Sequence, residues 1–321
     1  MKTLNLVYPE KSDIKYKISK FPDGQQNIVI EPFPLYHESV IGHSYKDGVG
    51  IRGEAKSIIQ IKSRLNNWLD LELITCTVAS LRELGIDEIH LYVPYVVGAR
   101  SDRKFEEGGN NYLKDVITPV INSLEFSSVT VLDPHSDCLE MGIKGFRKDT
   151  IGQFGLFKWS VGKIYDSTLP KIGGELKDIE GKYVLVSPDA GASKKIYKLA
   201  EQIGYKGDII TCSKDRDKDG KLTKVNVPIN IGHTLKDIII IDDICDGGAT
   251  FINIAKEIKD TQKLSGITNP NKIYLIVTHG IFSKGFEELE KYFDGIYCTN
   301  SYKQHTPEKE HKYIVKQLNV F

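Results

Sequence analysis

The sequence predicts an α/β protein made of two units of similar plan, each a mainly parallel sheet flanked by helices. Short runs rich in β-branched residues alternate with longer helical stretches along the chain. The strand-like runs are mainly apolar and β-branched, as expected of strands covered on both faces. The length, 321 residues, is about twice that of a typical domain. The units are expected over 1–150 and 151–321, joined near 147–165.

In the first unit, Trp68 to Leu84 reads as a helix closed by Gly85, a residue that tolerates the left-handed conformation at a helix end. Glu88 to Val97 reads as a strand, Leu113 to Leu124 as a helix and Ser128 to Leu132 as a buried strand. The second unit repeats the rhythm. Strands are expected at Tyr183–Ser187, Asp208–Thr211, Asp237–Ile241 and Lys272–Thr278, with helices at Ala192–Ile203 and Thr250–Ile258.

Composition narrows the function. Forty-three Lys and Arg balance 43 Asp and Glu, for a formal net charge of zero, which argues against a whole-chain electrostatic grip on nucleic acid. No apolar run approaches the ~18 residues that span a bilayer, and the first fifteen residues lack the apolar core of a secretory signal. The five cysteines are scattered and never form C-x-x-C, which argues against a disulfide scaffold or a cysteine-rich zinc module. A soluble protein of the cytoplasm is expected.

In parallel sheets, ligands gather beyond the carboxyl ends of the strands, and four loops there are unusually polar. The sharpest is Asp242-Asp243-Ile244-Cys245-Asp246-Gly247-Gly248-Ala249-Thr250. Two acids ending a run of four isoleucines would be costly without a partner, so they point to a cation, sugar hydroxyls, or both. The residues Asp246, Gly247, Gly248, Ala249 and Thr250 open a helix, where small side chains let backbone amides close around a phosphate. Asp-Gly-Gly also makes ordinary strand-to-helix turns; the preceding acids favour the ligand. After Ser128–Leu132 comes Asp133-Pro134-His135, whose imidazole is either a metal or phosphate ligand or simply solvated. Asp189, after Ser187-Pro188, presents the same alternatives. Arg100, Asp102, Arg103 and Lys104 either embrace a polyphosphate or form a solvated turn.

Two motifs are decoys. Gly48-Val49-Gly50-Ile51-Arg52-Gly53 fits G-x-G-x-x-G, but a β-rich run, Ser57 to Ile61, follows where a dinucleotide fingerprint needs a helix. Asp215 to Gly220 starts like an EF-hand, but Asn226 stands where a bidentate Glu is needed. Lys214 to Lys224 reads instead as a mobile, charged loop whose cations close over a substrate.

Taken together and in order, these loops resemble those of the ribose-phosphate pyrophosphokinases. The resemblance runs from about Phe21 to Tyr302. It includes Phe21-Pro22-Asp23-Gly24, Ala99-Arg100-x-Asp102-Arg103-Lys104, Asp133-x-His135 and Val186-Ser187-Pro188-Asp189-Ala190-Gly191. It continues through Lys214-x-Arg216, the Asp242-Asp243 loop, and Thr278-His279-Gly280-Ile281-Phe282-Ser283. The resemblance implies two phosphoribosyltransferase-like (type I) domains. It also implies transfer of the β,γ-diphosphate of ATP to the anomeric hydroxyl of ribose 5-phosphate, with release of AMP. By the same resemblance Asp242 and Asp243 hold ribose hydroxyls or Mg2+, and residues 246 to 250 cradle the 5-phosphate. His135 and Asp189 work around magnesium. Arg100, Asp102 and Arg103 contact ATP. Phe21 and Asp23 contact adenine, usually from a neighbouring subunit, which implies a dimer or hexamer. Lys214, Arg216 and His135 are the implied catalytic residues.

The sequence departs from the family in ways that bear on the acceptor. Only about twenty residues precede Phe21, Gln25 replaces the usual Glu, and Ser101 replaces the usual Gln. Pro32 to Ala55 looks like a lengthened loop containing Tyr36, His37, His43 and Tyr45. A related branch, found in phage NAD-restoring pathways, puts the diphosphate on ADP-ribose. That acceptor stays open, with the host cytoplasm as its location. Two further rivals are a phosphoribosyltransferase, which would not need the upstream elements, and a non-catalytic regulatory homologue.

Overall fold

The computed structural model describes residues 1–33, 57–165, 181–216, 222–266, 270–305 and 315–321. All but the first two residues of the lengthened loop at Pro32–Ala55 lie outside this set, as does the 48–53 glycine motif. The chain divides into two compact units, Met1–Asp149 with Phe321, and Thr150–Val320.

The first unit opens with β1 (Lys2–Asn5) and a single 3-10 turn, followed by the hairpin of β2 (Tyr16–Lys20) and β3 (Gln26–Ile30). Its parallel sheet then adds β4 (Ile58–Lys62), β5 (Glu88–Tyr92), β6 (Ser128–Val131) and β7 (Phe146–Lys148), in the order β1-β4-β5-β6-β7. Helix α1 (Trp68–Glu83) starts where the Asn67 side chain accepts the Leu69 and Asp70 amides. It buries Leu71, Ile74, Val78 and Leu81, one helical face, and ends before Gly85 at φ 81°. Two expectations need correction here. The strand expected over Glu88–Val97 leaves the ladder after Tyr92, just before Pro94, which has no N–H to give. The helix expected over Leu113–Leu124 begins with a π turn at Leu113–Ile117 before α2 (Thr118–Ser123). Pro119 interrupts the i→i−4 ladder at that junction. Helix α3 (Asp137–Gly142) follows β6.

The second unit opens with α4 (Gly152–Ile164), β8 (Tyr183–Ser187), α5 (Ala190–Ile203), β9 (Ile209–Thr211) and the hairpin of β10 (Ser213–Arg216) and β11 (Leu222–Asn226). It continues through α6 (Ile231–Thr234), β12 (Asp237–Cys245), α7 (Ala249–Leu264), β13 (Ile273–Gly280), α8 (Glu287–Glu290), β14 (Gly295–Thr299) and β15 (Val315–Leu318). Six parallel strands run β15-β14-β13-β12-β8-β9. Central β12 explains its isoleucine run. Ile239 and Ile241 pack with Leu156, Phe157, Ile196 and Leu199 of α4 and α5. Ile238 and Ile240 pack with Phe251, Ile254 and Ile258 of α7 on the other face. Each such side chain contributes about 1.5–3 kcal/mol through burial.

Two further differences from expectation matter for the site. Strand β12 does not stop at Ile241. Its pairing continues to Ile244 opposite His279 and Cys245 opposite Gly280, because β13 is equally long. Of the charged segment read as a mobile loop over Lys214–Lys224, the described ends are paired strands, Lys214 with Val225 and Asp215 with Lys224, and 217–221 lie outside the described residues. Buried Cys212 and Val225 anchor its base in the α7-side core.

Candidate active site

The acid pair rides on the last residues of β12. Neighbouring residues on an extended strand leave the backbone on opposite sides, so Asp242 and Asp243 have different surroundings. Asp243 is 4% exposed, and its Oδ2 lies 2.6 Å from the Lys195 ammonium of α5. The Asp243 N–H donates to Asp242 Oδ1 at 2.9 Å. Burial, and then the charge of Asp243, push the Asp242 carboxyl well above the usual carboxylate range. Asp189 stands at the end of the adjacent strand, β8, as the N-cap of α5. Its Oδ1 accepts the Ala192 N–H at 2.9 Å and its Oδ2 accepts the Lys214 ammonium at 2.6 Å. Burial alone would raise the Asp189 carboxyl; the Lys214 hydrogen bond and the Ala192 and Gly191 amides outweigh it and hold the group low. Three acidic side chains thus face two ammonium groups, and the crowding favours the protonated form of Asp242 until a cation or ligand arrives. The imbalance suits a divalent cation or a polyhydroxylated ligand.

The glycine bend follows directly. Gly248 sits at φ 79° as the N-cap of the sixteen-residue α7, and the Ile252 N–H donates to its carbonyl at 3.0 Å. A Cβ there would come 3.1 Å from Leu289 Cδ2 on a backbone conformation that side chains disfavour. A glycine N-cap brings no side chain to occupy the first amides of the helix, which leaves an anion-binding end. Lys284 lays its stem beside Gly247, where a Cβ would meet its Cδ at 3.3 Å. The bend is braced from β13, since the Ile281 and Phe282 amides both donate to the Cys245 carbonyl. Deeper in, His279 Nδ1 is 2.8 Å from Ser301 Oγ in a buried contact.

The first unit presents the other candidates separately. Phe21 is 51% exposed at the tip of the β2–β3 hairpin. The turn is closed by Phe21 N–H to Gln25 O at 2.8 Å, Gly24 at φ 99°, and Gln25 N–H to Asp23 Oδ1 at 3.1 Å. Beyond β5, Gly98 at φ 73° lies against Tyr112, whose Cδ1 a Cβ would meet at 2.4 Å. That approach pins the loop carrying exposed Arg100 and Arg103 and half-buried Asp102. Asn111 Nδ2 donates to the Asp102 carbonyl, and the Arg103 guanidinium lies 5.5 Å over the Phe105 ring. His135 is exposed just past β6, between Asp133 at φ 39° and Ser136, which caps α3.

Of the residues expected at the site, the second unit gathers Asp189, Lys214, Asp242 and Asp243, followed directly by 246–250. Phe21, Asp23, Arg100, Asp102, Arg103 and His135 belong to the first unit. The Arg216 side chain lies outside the described residues. Lys195 was missed by sequence reasoning. Its signal is a Lys194-Lys195 doublet in the early turns of a helix, where cations oppose the dipole and need a carboxylate partner. Among the described residues, no group of three or more His, Cys, Asp or Glu could hold a metal ion by itself. Oxygen ligands on one or two carboxylates nevertheless suit Mg2+, which keeps waters and takes substrate phosphates for the rest of its shell. Among the described residues no helix is long and apolar enough to cross a membrane.

The two α/β units, each a mainly parallel sheet flanked by helices, have a phosphoribosyltransferase-like fold. The chain is a relative of the ribose-phosphate pyrophosphokinases, and hence an enzyme of the diphosphotransferase class. It is 27% identical to that enzyme from Mycoplasmopsis pulmonis over 249 residues, covering 77% of this chain and 68% of the relative. It is 23% identical to the enzyme from Pyrococcus furiosus over 313 residues, covering 97% and 94%. A phosphoribosylpyrophosphate synthetase from Mycobacterium smegmatis shares the fold, with a TM-score of 0.70 at 15% identity over 97% of this chain and 88% of that one. No family model matches the chain.

Proposed function

We propose that this enzyme moves the β,γ-diphosphate of ATP to the anomeric C1 hydroxyl of ribose 5-phosphate, giving phosphoribosyl diphosphate and AMP. The observation that carries the reading is the continuity of the acid pair with the glycine bend on β12 and α7. A pentose held there sets its hydroxyls against carboxylates and its 5-phosphate against open helix amides. Mg2+ would be held by Asp189 or by the acid pair, with His135 a separate candidate ligand on the first unit, and would supply charge neutralisation. Arg100, Asp102 and Arg103 bind ATP, and Phe21 and Asp23 supply its adenine contact from a neighbouring subunit of a dimer or hexamer. The half-exposed Phe21 ring supports that sharing. Lys214 and Arg216 are the cations for the transferring group. Attack on the β-phosphorus needs in-line positioning and compensation of charge on phosphate oxygens rather than a tuned base. The setting is the cytoplasm.

A second reading keeps the chemistry and changes the acceptor to ADP-ribose, in NAD salvage by a phage pathway within the host cytoplasm. Lys284 favours it, because its stem along Gly247 adds a cation beside the bend, where such an acceptor carries a diphosphate. Offering ATP with each acceptor separates the two: the true one yields AMP and a sugar product heavier by one diphosphate. AMP formation with neither acceptor would remove both readings.

A further inference from the structure

Lys195 has no task in the reaction above, yet it meets the most deeply buried acid of the cluster. Asp243 faces the α5 side of β12, as Ile239 and Ile241 do, and Lys195 reaches it at 2.6 Å. The cluster divides its cations unevenly. Lys195 takes Asp243 and Lys214 takes Asp189. Among the described residues, Asp242 has one hydrogen bond, from the amide of Asp243 itself. Holding Asp243 therefore also holds the amide that orients Asp242.

We propose that Lys195 is a positioning residue of the acceptor site: by anchoring and neutralising Asp243 it leaves Asp242 as the carboxylate of the pair that engages the sugar. The inference rests on the function proposed above and refines it, because the two acids become unequal. A carboxylate buried against an ammonium has one oxygen committed and little access to a ligand. Its neighbour, turned the other way, keeps its lone pairs for hydroxyls or their cation. Groups that orient a direct ligand typically change affinity or activity about 10- to 100-fold when removed.

The test is steady-state kinetics with ATP and the accepted sugar. Lys195→Met should raise the KM for the sugar about 10-fold or more and leave the KM for ATP unchanged, and Lys195→Arg should restore the sugar KM. Lys195→Met strands a buried charge and endangers folding, so the Lys195→Met/Asp243→Asn double variant removes both charges. It should show the sugar KM of Asp243→Asn alone, the two losses failing to add, whereas Asp242→Asn should cost its full effect in either background. An active wild type whose sugar KM is unmoved by Lys195→Met, or equal and additive losses for the two acids, would overturn this inference alone. A wild type that forms AMP with neither acceptor would remove the proposed function and this inference together.

Discussion

Lys214 shows how much one side chain carries. Its ammonium is committed to Asp189 in the structure, and in the proposed reaction it serves the transferring phosphates. Lys214→Ala should lower kcat by about 10³-fold or more while nucleotide affinity, measured by calorimetry, stays nearly intact. Unchanged turnover would reject the assignment. Asp242 carries one pH expectation. Its carboxyl is raised in the folded chain, so between the unfolded value near about 4 and the raised one the folded state binds more protons than the unfolded. Its contribution to stability therefore falls as pH climbs through that window. Asp189 is lowered and acts in reverse, stabilising above its unfolded value and losing that as pH drops through the folded one. In metal-free buffer, the Tm of Asp242→Asn minus that of wild type should grow as pH rises from about 5 to about 8. Sugar and Mg2+ binding to wild type should release a proton that Asp242→Asn does not. A difference in Tm that is flat with pH would contradict the raised carboxyl.

Among the elements, the bend between β12 and α7 is the most constrained. Gly248→Ala adds a Cβ at 3.1 Å from Leu289 on a left-handed residue, a conformation that costs roughly 1–2 kcal/mol for a residue with a Cβ. It should lower the denaturation midpoint by that order and weaken sugar-phosphate binding, whereas unaltered affinity would place the phosphate elsewhere. The same elements show what a sequence discloses. Tyr183–Ser187 was legible to the residue, because apolar β-branched runs bounded by turn residues have few alternatives. The end of β12 was not, because the two acids look like loop residues until β13 is seen pairing beyond them as far as Gly280. The β10–β11 hairpin was hidden by its charges, its one pointer being the apolar pair Cys212 and Val225. The acids, Lys214 and the bend were legible by type and place. Lys195 was not, because an ion pair across 48 residues of sequence leaves no local periodicity.

For the whole molecule, the proposed contacts divide between the units. Those to adenine fall in Met1–Asp149, and those to the sugar in Thr150–Val320. If Phe21 serves a neighbour's site, mixing Phe21→Ala subunits with Lys214→Ala subunits should restore activity that neither has alone, since some mixed sites have both residues intact. Sedimentation should show the dimer or hexamer, and failure of the mixture to recover activity would confine the site to one chain. The acid pair stands on the central strand of the second sheet, with both cores wrapped around the isoleucines that lead into it. A lineage exploring new acceptors has little freedom along that strand, because altering the isoleucines that carry the acids also alters the packing that keeps the protein folded. Under the proposed function, divergence in acceptor is expected at the periphery instead, in positions such as Lys284 whose stem lies against the bend.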